Sequence, residues 1–386
     1  MRRNWWTEVT LDTLPTPCYV IDEERLEENL KLLHALSEET GAKILLAEKA
    51  FSCFPYYPMV RKYLSGASAS GLFEAKLSAE KLGKQTHVFS PAYREDEWKE
   101  LLLYADHLVF NSLTQLRVFG SRAKAAGKSV ALRINPEHST QQEPIYDPCA
   151  LYSRLGVTKS VFDRDASLKD RALLDGLHFH TLCEQGADAL AETLEAVEEN
   201  WKELLSSVQW INFGGGHHIT KKGYDLPLLK KCISRMQERY GLTVYLEPGE
   251  AVALNAGYLV TKVIDLVENG KRIAILDASA ACHMPDVLEM PYVPPLRDAG
   301  GPGERAYSCL LGGPTCLASD VIGEYSFDQE LKAGDRLVFE DMAIYTMVKN
   351  NTFNGMKLPA IAGMDRRGEC VLLKEFGYSD FLDRLG

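Results

Sequence analysis

The stretch KILLAEK, residues 43–49, is apolar from Ile44 to Ala47 and then ends in a carboxylate and a lysine. A short apolar run of this kind reads as a buried strand. Strand alternation puts Leu45, Ala47 and Lys49 on one face and Ile44, Leu46 and Glu48 on the other. The same unit, a short apolar run followed by a charged segment of helical period, recurs from Lys43 to about Glu247. After KILLAEK come GASAS, THVFS, HLVFNS, VALRINP, DGLHFHTL, QWINFGGG and VYLEPG. Between them lie amphipathic stretches such as GLFEAKLSAEKLG, REDEWKELLLYA, SLTQLRVFGSRAKAAG and ADALAETLEAVEENWKELLSS. Eight such alternations imply parallel strands joined by right-handed crossovers, and eight units close into a (β/α)8 barrel.

Past Ala251 the pattern becomes strand-like, in GYLVTKVIDLV, RIAILDAS, DRLVFED, YTMVK and ECVLLKEF, with Gly, Pro and Asp turns between. The expected fold class is therefore α/β, with a barrel over residues 15–250 and a β domain over 251–386 that residues 1–14 join.

Composition narrows the function. The 386 residues carry a net charge of −11, with Lys and Arg scattered among carboxylates, which argues against a nucleic-acid surface and suits cationic small ligands. The N-terminus holds two arginines but no apolar leader segment, and no apolar run is long enough to span a bilayer, so a cytoplasmic protein with no membrane partner is expected. Nine dispersed cysteines, without a CxxC pair or zinc-ligand spacing, read as reduced thiols with no metal site.

In a (β/α)8 barrel the chemistry sits at the C-terminal ends of the strands. The run ends carry Lys49, then Arg133 and Asn135, His180, Gly214 to Gly216, and Glu247. Lys49 facing the barrel mouth is a partly desolvated amine, able to attack an aldehyde. Three glycines directly after a strand let backbone N–H groups approach a phosphate. A carboxylate such as Glu247, set beside the ring nitrogen of pyridoxal phosphate, keeps that nitrogen protonated and the ring a strong electron sink, while a histidine such as His180 can lie against the ring.

With those residues assembled, the chain resembles the fold-type III pyridoxal-phosphate decarboxylases, the alanine racemase-like fold. Within them it is similar to the branch that acts on carboxylated polyamines, carboxynorspermidine and carboxyspermidine. The resemblance covers nearly the whole chain and rests on TPCYVID, AEKAFS, GASASGLFEAKL, FNSLTQL, LRINPEHS, SRLGV, GLHFHTLCE, INFGGGHH, EPGEAV, LDASAACHMPDVLEMPY, GGPTCLASDVIG and YTMVKNNTFNG. It implies a Schiff base on Lys49, ring stacking by His180, phosphate held by Gly214, Gly215 and Gly216 with Tyr345, and a ring-nitrogen contact from Glu247. Arg133 joins the cofactor residues. The resemblance also implies a homodimer in which Cys316 crosses the interface to supply a proton to the reacting carbon, with Asp320 near a substrate amine. Glu48 departs from relatives, which usually carry an apolar residue before the lysine; it is expected to face the helices.

Racemases of this fold oppose the ring nitrogen with arginine, so Glu247 favours decarboxylation. Diaminopimelate decarboxylase, the runner-up, reads EPGR where this chain has Glu250, and has glutamate after its cysteine where this chain has Leu317. Replacing arginine by a carboxylate switches the preferred ligand end from anionic to cationic. Glu250, Asp286 and Asp320, with Asp277 as a fourth candidate, are the expected ligands for the amines of a carboxylated polyamine. A catalytically silent relative that binds partners instead of substrate is the alternative from another class.

Overall fold

The structure, a computed structural model, describes residues 13–141 and 143–386. It divides into two compact units, one formed by residues up to Glu28 together with Ala253–Gly386, the other by Asn29–Val252.

The chain opens with strand β1, Cys18–Asp22, and a helix, Glu23–Thr40. Eight strands then form the closed parallel barrel: β2 (Lys43–Ala47), β3 (Gly66–Ala69), β4 (Gln85–Phe89), β5 (His107–Phe110), β6 (Ser129–Arg133), β7 (Gly176–His178), β8 (Trp210–Asn212) and β9 (Thr243–Leu246). Each of the eight runs expected from the sequence contributes one strand. The barrel shuts where Lys43 and Ile44 of β2 pair with Tyr245 and Leu246 of β9.

Side chains fill the interior, as they must in a barrel of eight strands. Leu45, Val109, Ala131, Trp210 and Tyr245 form one cluster with Phe89 packed against it. Beside it His87 and His107 stack with ring centroids 3.9 Å apart, flanked by Trp210 and Tyr245. Burial drives both imidazoles below their ordinary pKa, so they pack as neutral rings.

The other unit is a mixed eight-stranded sheet. Its strands are β1 with β10 (Gly257–Glu268), β11 (Arg272–Leu276), β12 (Tyr307–Gly312), β13 (Val321–Phe327), β14 (Arg336–Glu340), β15 (Ala360–Met364) and β16 (Cys370–Lys374). They run in the order β13-β12-β11-β10-β1-β15-β16, with β14 paired to β10. Both faces of its central strands are buried, which parity makes visible. Tyr19, Leu259, Leu337 and Phe339 belong to one apolar cluster, while Cys18, Val20, Tyr258, Val260 and Val338 belong to another.

Two expectations are corrected here. The barrel does not begin at residue 15: β1 pairs antiparallel with β10 and parallel with β15, so this N-terminal strand belongs to the sheet. Of residues 1–14, expected to join the β domain, 1–12 lie outside the described residues; Leu14 is buried among Cys18, Val20 and Val260. YTMVK is not a strand. Tyr345 takes a left-handed φ of 52° and starts a short helix, Thr346–Lys349, so a local bend overrides the extended preference of its Tyr, Thr and Val.

Barrel closure leaves little room between neighbours. A Cβ on Gly66 would lie 1.9 Å from the carbonyl oxygen of Gln85 across the β3–β4 pair, whereas one on Gly71 would meet nothing within 4 Å. Gly66→Ala should therefore lower unfolding stability by at least about 2 kcal/mol, and Gly71→Ala by far less, as read from urea midpoints.

Candidate active site

Lys49 sits in the turn after β2, and the next strand ends hold that turn in place. The N–H of Ala47 donates to the carbonyl of Pro248 at 3.1 Å and that of Glu48 to Ser68 at 3.0 Å. Gly249 makes the approach possible, since a Cβ there would lie 2.5 Å from that of Ala50. The Pro248–Gly249 turn thus seats the end of β9 directly against the end of β2. Lys49 keeps solvent access, yet the crowded mouth lowers its pKa by burial; Glu247 opposes the shift and Arg133 adds to it. A lowered amine pKa is what a nucleophile toward an aldehyde requires.

Glu247 follows β9 and is buried. Asn212 Nδ2 donates to its Oε1 at 2.7 Å, and His178 Nε2 lies 3.3 Å from Oε2. Burial alone would raise this carboxyl, but His178, His87 and Asn212 outweigh it and hold the pKa at about 2. Burial pushes His178 down in turn, despite the pull of Glu247, so His178 is best described as a neutral imidazole whose Nε2–H faces the carboxylate. Asn212 also accepts the Gly214 N–H at 2.8 Å through Oδ1. One amide therefore ties the carboxylate to the glycine loop.

That loop is geometrically demanding. Gly214 and Gly216 have φ of 70° and 79°, and a Cβ would lie 2.5 Å from the Phe179 carbonyl at the first and 1.9 Å from the Leu182 carbonyl at the second. Gly215 donates its N–H to His180 Nδ1 at 2.8 Å, which fixes the ring's orientation. Burial, with Lys49 and Arg133 nearby, drives the His180 pKa well down. Arg133 is buried at the end of β6, 4.6 Å over the Phe89 ring, and donates to the His180 carbonyl at 3.2 Å.

Glu250 opens the short helix Glu250–Ala253. His218 Nε2 lies 3.1 Å from its Oε1, and Glu184 completes a cluster whose ligand atoms lie within 4.8 Å of one another. Burial raises the Glu184 pKa and Glu250 raises it further. Two carboxylates this close accommodate a cation better than they tolerate each other.

The remaining expected residues lie in the sheet unit. Cys316 is exposed on the loop between β12 and β13. Its N–H donates to Asn354 Oδ1 at 3.3 Å, and Asn354 Nδ2 approaches its Sγ at 3.8 Å. Tyr345 caps the helix described above. Asp286 is ion-paired with Lys349, which also takes Glu289. Asp277 accepts from the Thr261 hydroxyl at 2.6 Å and the Lys262 N–H at 2.9 Å. Asp320 is buried and takes donors from Ser279, Ala281 and Thr315. Protein donors thus already engage the carboxylates of Asp277 and Asp320.

The comparisons with known proteins fit this arrangement. Residues 18–343 match the family model described as pyridoxal-dependent decarboxylase, C-terminal sheet domain. The carboxynorspermidine/carboxyspermidine decarboxylase of Campylobacter jejuni is 43% identical over 96% of this chain and 98% of its own length. The chain belongs to the pyridoxal-dependent decarboxylases. The carboxyaminopropylagmatine decarboxylase of Synechocystis sp. is also 43% identical, over 97% of each chain. A crystal structure of the Campylobacter jejuni carboxynorspermidine decarboxylase with norspermidine superposes with a TM-score of 0.89 over 96% of this chain and all of that one, again at 43% identity.

This decarboxylase has the donor set its cofactor needs: an amine of lowered pKa, an ionised buried carboxylate, an oriented imidazole, and a glycine loop free of side chains. His178, Asn212, Glu184 and Asn354 were not singled out in the sequence. Only His178 had a usable signal, since in GLHFHTL it shares strand parity with His180.

Glu48 points away from this site. It is fully buried, accepts the Tyr57 hydroxyl at 2.7 Å, and has its second oxygen without a protein partner. Burial raises its pKa from 4.5 to about 8, against the help of Tyr57. The folded protein then binds a proton that the unfolded chain has lost, so Glu48's contribution to stability falls as pH rises from about 4.5 to about 8. Glu48→Gln should leave stability nearly unchanged at pH 5 and raise it by on the order of 3 kcal/mol at pH 9, in paired denaturation curves.

Proposed function

We propose that this enzyme removes the carboxyl group of carboxynorspermidine or carboxyspermidine, releasing norspermidine or spermidine. The observation that carries the reading is the barrel mouth itself, with Lys49 at lowered pKa beside a Glu247 kept ionised by Asn212 and His178. Bound through Lys49, pyridoxal 5′-phosphate supplies the electron sink for the pair left when the carbon–carboxylate bond breaks. Glu247 keeps the ring nitrogen protonated, His180 supports the ring face, and Arg133 fixes the loop that carries His180. Gly214, Gly215 and Gly216 hold the phosphate together with Tyr345. The Glu250 cluster takes a distal ammonium of the substrate, and Asp286, which is ion-paired with Lys349, is assigned to a second substrate amine. Cys316 returns a proton to the carbon that lost carbon dioxide and recovers one from solvent.

In this reading the enzyme is a homodimer whose sites combine Lys49 of one chain with Cys316 of the other. It works in the cytoplasm, where its nine free cysteines stay reduced. A second substrate has specific support. The equal identity of the carboxyaminopropylagmatine decarboxylase and the Glu184–Glu250 pair, which suits a planar guanidinium as well as an ammonium, support a substrate ending in that group as the alternative.

Borohydride reduction of the loaded enzyme followed by peptide mapping should label Lys49; a label on Lys43 or Lys76 would overturn the assignment. Steady-state comparison of the two carboxylated triamines with carboxyaminopropylagmatine decides the substrate, the highest kcat/KM being expected for a triamine. Glu250→Arg should raise KM for that triamine by about tenfold or more while cofactor absorbance stays unchanged. Lys49→Ala and Cys316→Ala should each be nearly inactive, yet mixing them with subunit exchange should restore roughly a quarter of wild-type activity, since about half the dimers are mixed and each holds one intact site. No recovery despite exchange would place each site within one chain.

A further inference from the structure

Asp320 was expected to hold a substrate amine, but its surroundings assign it a different task. It closes the loop from Gly313 to Asp320 between β12 and β13, which presents Cys316. Its carboxylate is nearly out of solvent contact, at 5% exposure. The Ser279 hydroxyl lies 3.0 and 2.9 Å from Oδ1 and Oδ2, the Ala281 N–H donates to Oδ1 at 3.3 Å, and Thr315 donates its N–H at 3.3 Å and its hydroxyl at 2.7 Å to Oδ2. A carboxylate offers about four lone-pair sites, so these donors leave little capacity for an incoming ammonium. There is no lateral room either, since a Cβ on Gly313 would stand 2.3 Å from Oδ2.

The engaged donors are placed to matter. Thr315 immediately precedes Cys316, and both of its donors end on the same oxygen. Ser279 caps the helix Ala280–His283, its hydroxyl accepting the Cys282 N–H at 3.1 Å. The loop is also closed on itself, through Gly313 N–H to the Asp320 carbonyl at 2.9 Å and Asp320 N–H to the Leu317 carbonyl at 2.9 Å. The carboxylate thus joins the base of the cysteine loop to a helix start of the same unit, while Asn354 holds the loop at Cys316 itself.

We propose that Asp320 is a positioning residue that sets the Cys316 loop and does not bind substrate. The inference rests on the reading that Cys316 returns the proton. Asp320→Asn keeps the size of the side chain but turns an N–H group toward donors that need an acceptor. It should lower kcat by about 10- to 100-fold with KM for the carboxylated triamine within about threefold of wild type. Thr315→Val, which removes one donor and leaves the carboxylate, should lower kcat by a smaller factor, about three- to tenfold, and guards against a failure of the first variant to fold. In the Cys316→Ala background, Asp320→Asn should cost less than about twofold more, because both changes remove the same step.

A readout independent of turnover is the rate at which iodoacetamide alkylates Cys316 in cofactor-free protein, followed by peptide mapping; Asp320→Asn should raise it by about threefold or more. A raised KM with kcat retained would overturn the proposal and return Asp320 to the substrate. A full additive loss on the Cys316→Ala background, or an unchanged alkylation rate, would overturn it as well. If Cys316→Ala alone kept full activity, the proton-donor reading would fail, while the alkylation rate would still report whether Asp320 holds the loop.

Discussion

The pairing of β2 with β9 is the constraint on which the site depends. These strands are nearly 200 residues apart in sequence, yet Lys43 and Ile44 sit in register with Tyr245 and Leu246. Closure fixes where every strand ends, and the turn after each end is where the chemistry resides. The bond from Ala47 to the Pro248 carbonyl, with Gly249 packed on Ala47 and Ala50, locks the lysine turn to the glutamate turn. The Glu247 N–H, donated to the Gly214 carbonyl at 2.8 Å, then adds the glycine loop to the same assembly.

Within that frame, burial and hydrogen bonding decide which groups carry charge. Glu247 and Glu48 are both buried glutamates at strand ends, and their environments send them in opposite directions. Glu247 receives Asn212 and faces His178, so it stays ionised with a pKa of about 2. Glu48 has one hydroxyl donor and an oxygen without a protein partner, and its pKa rises to about 8. The hydrogen-bond donors, not burial itself, separate an ionised carboxylate from a carboxylic acid that keeps its proton.

The legible parts of the site were those tied to strand ends. Lys49, His180, the three glycines and Glu247 could be read because a run of apolar residues marks where each strand stops. Asn212 and Glu184 could not, since an asparagine inside a strand and a glutamate in a loop are ordinary until their partners across the barrel mouth are known. The acidic residues of the sheet unit show the converse. Asp277 and Asp320 read as free carboxylates, but a carboxylate's availability depends on how many N–H and O–H groups the fold aims at it, and their donors include residues far away in sequence, such as Thr261 and Ser279.

Local sequence pattern encodes the barrel directly, because eight apolar runs spaced by amphipathic segments admit few other arrangements. It also determined which chemical groups stand at the strand ends. The folded structure places β1 in the sheet and not in the barrel, since CYVID is an apolar strand that either partner could have accepted and long-range pairing with β10 and β15 made the choice. It alone decided that YTMVK coils at Tyr345, and that His178 and Asn212 meet Glu247. Pairing, charge state and hydrogen-bond saturation depend on residues brought together from distant parts of the chain, and no local window of sequence contains them.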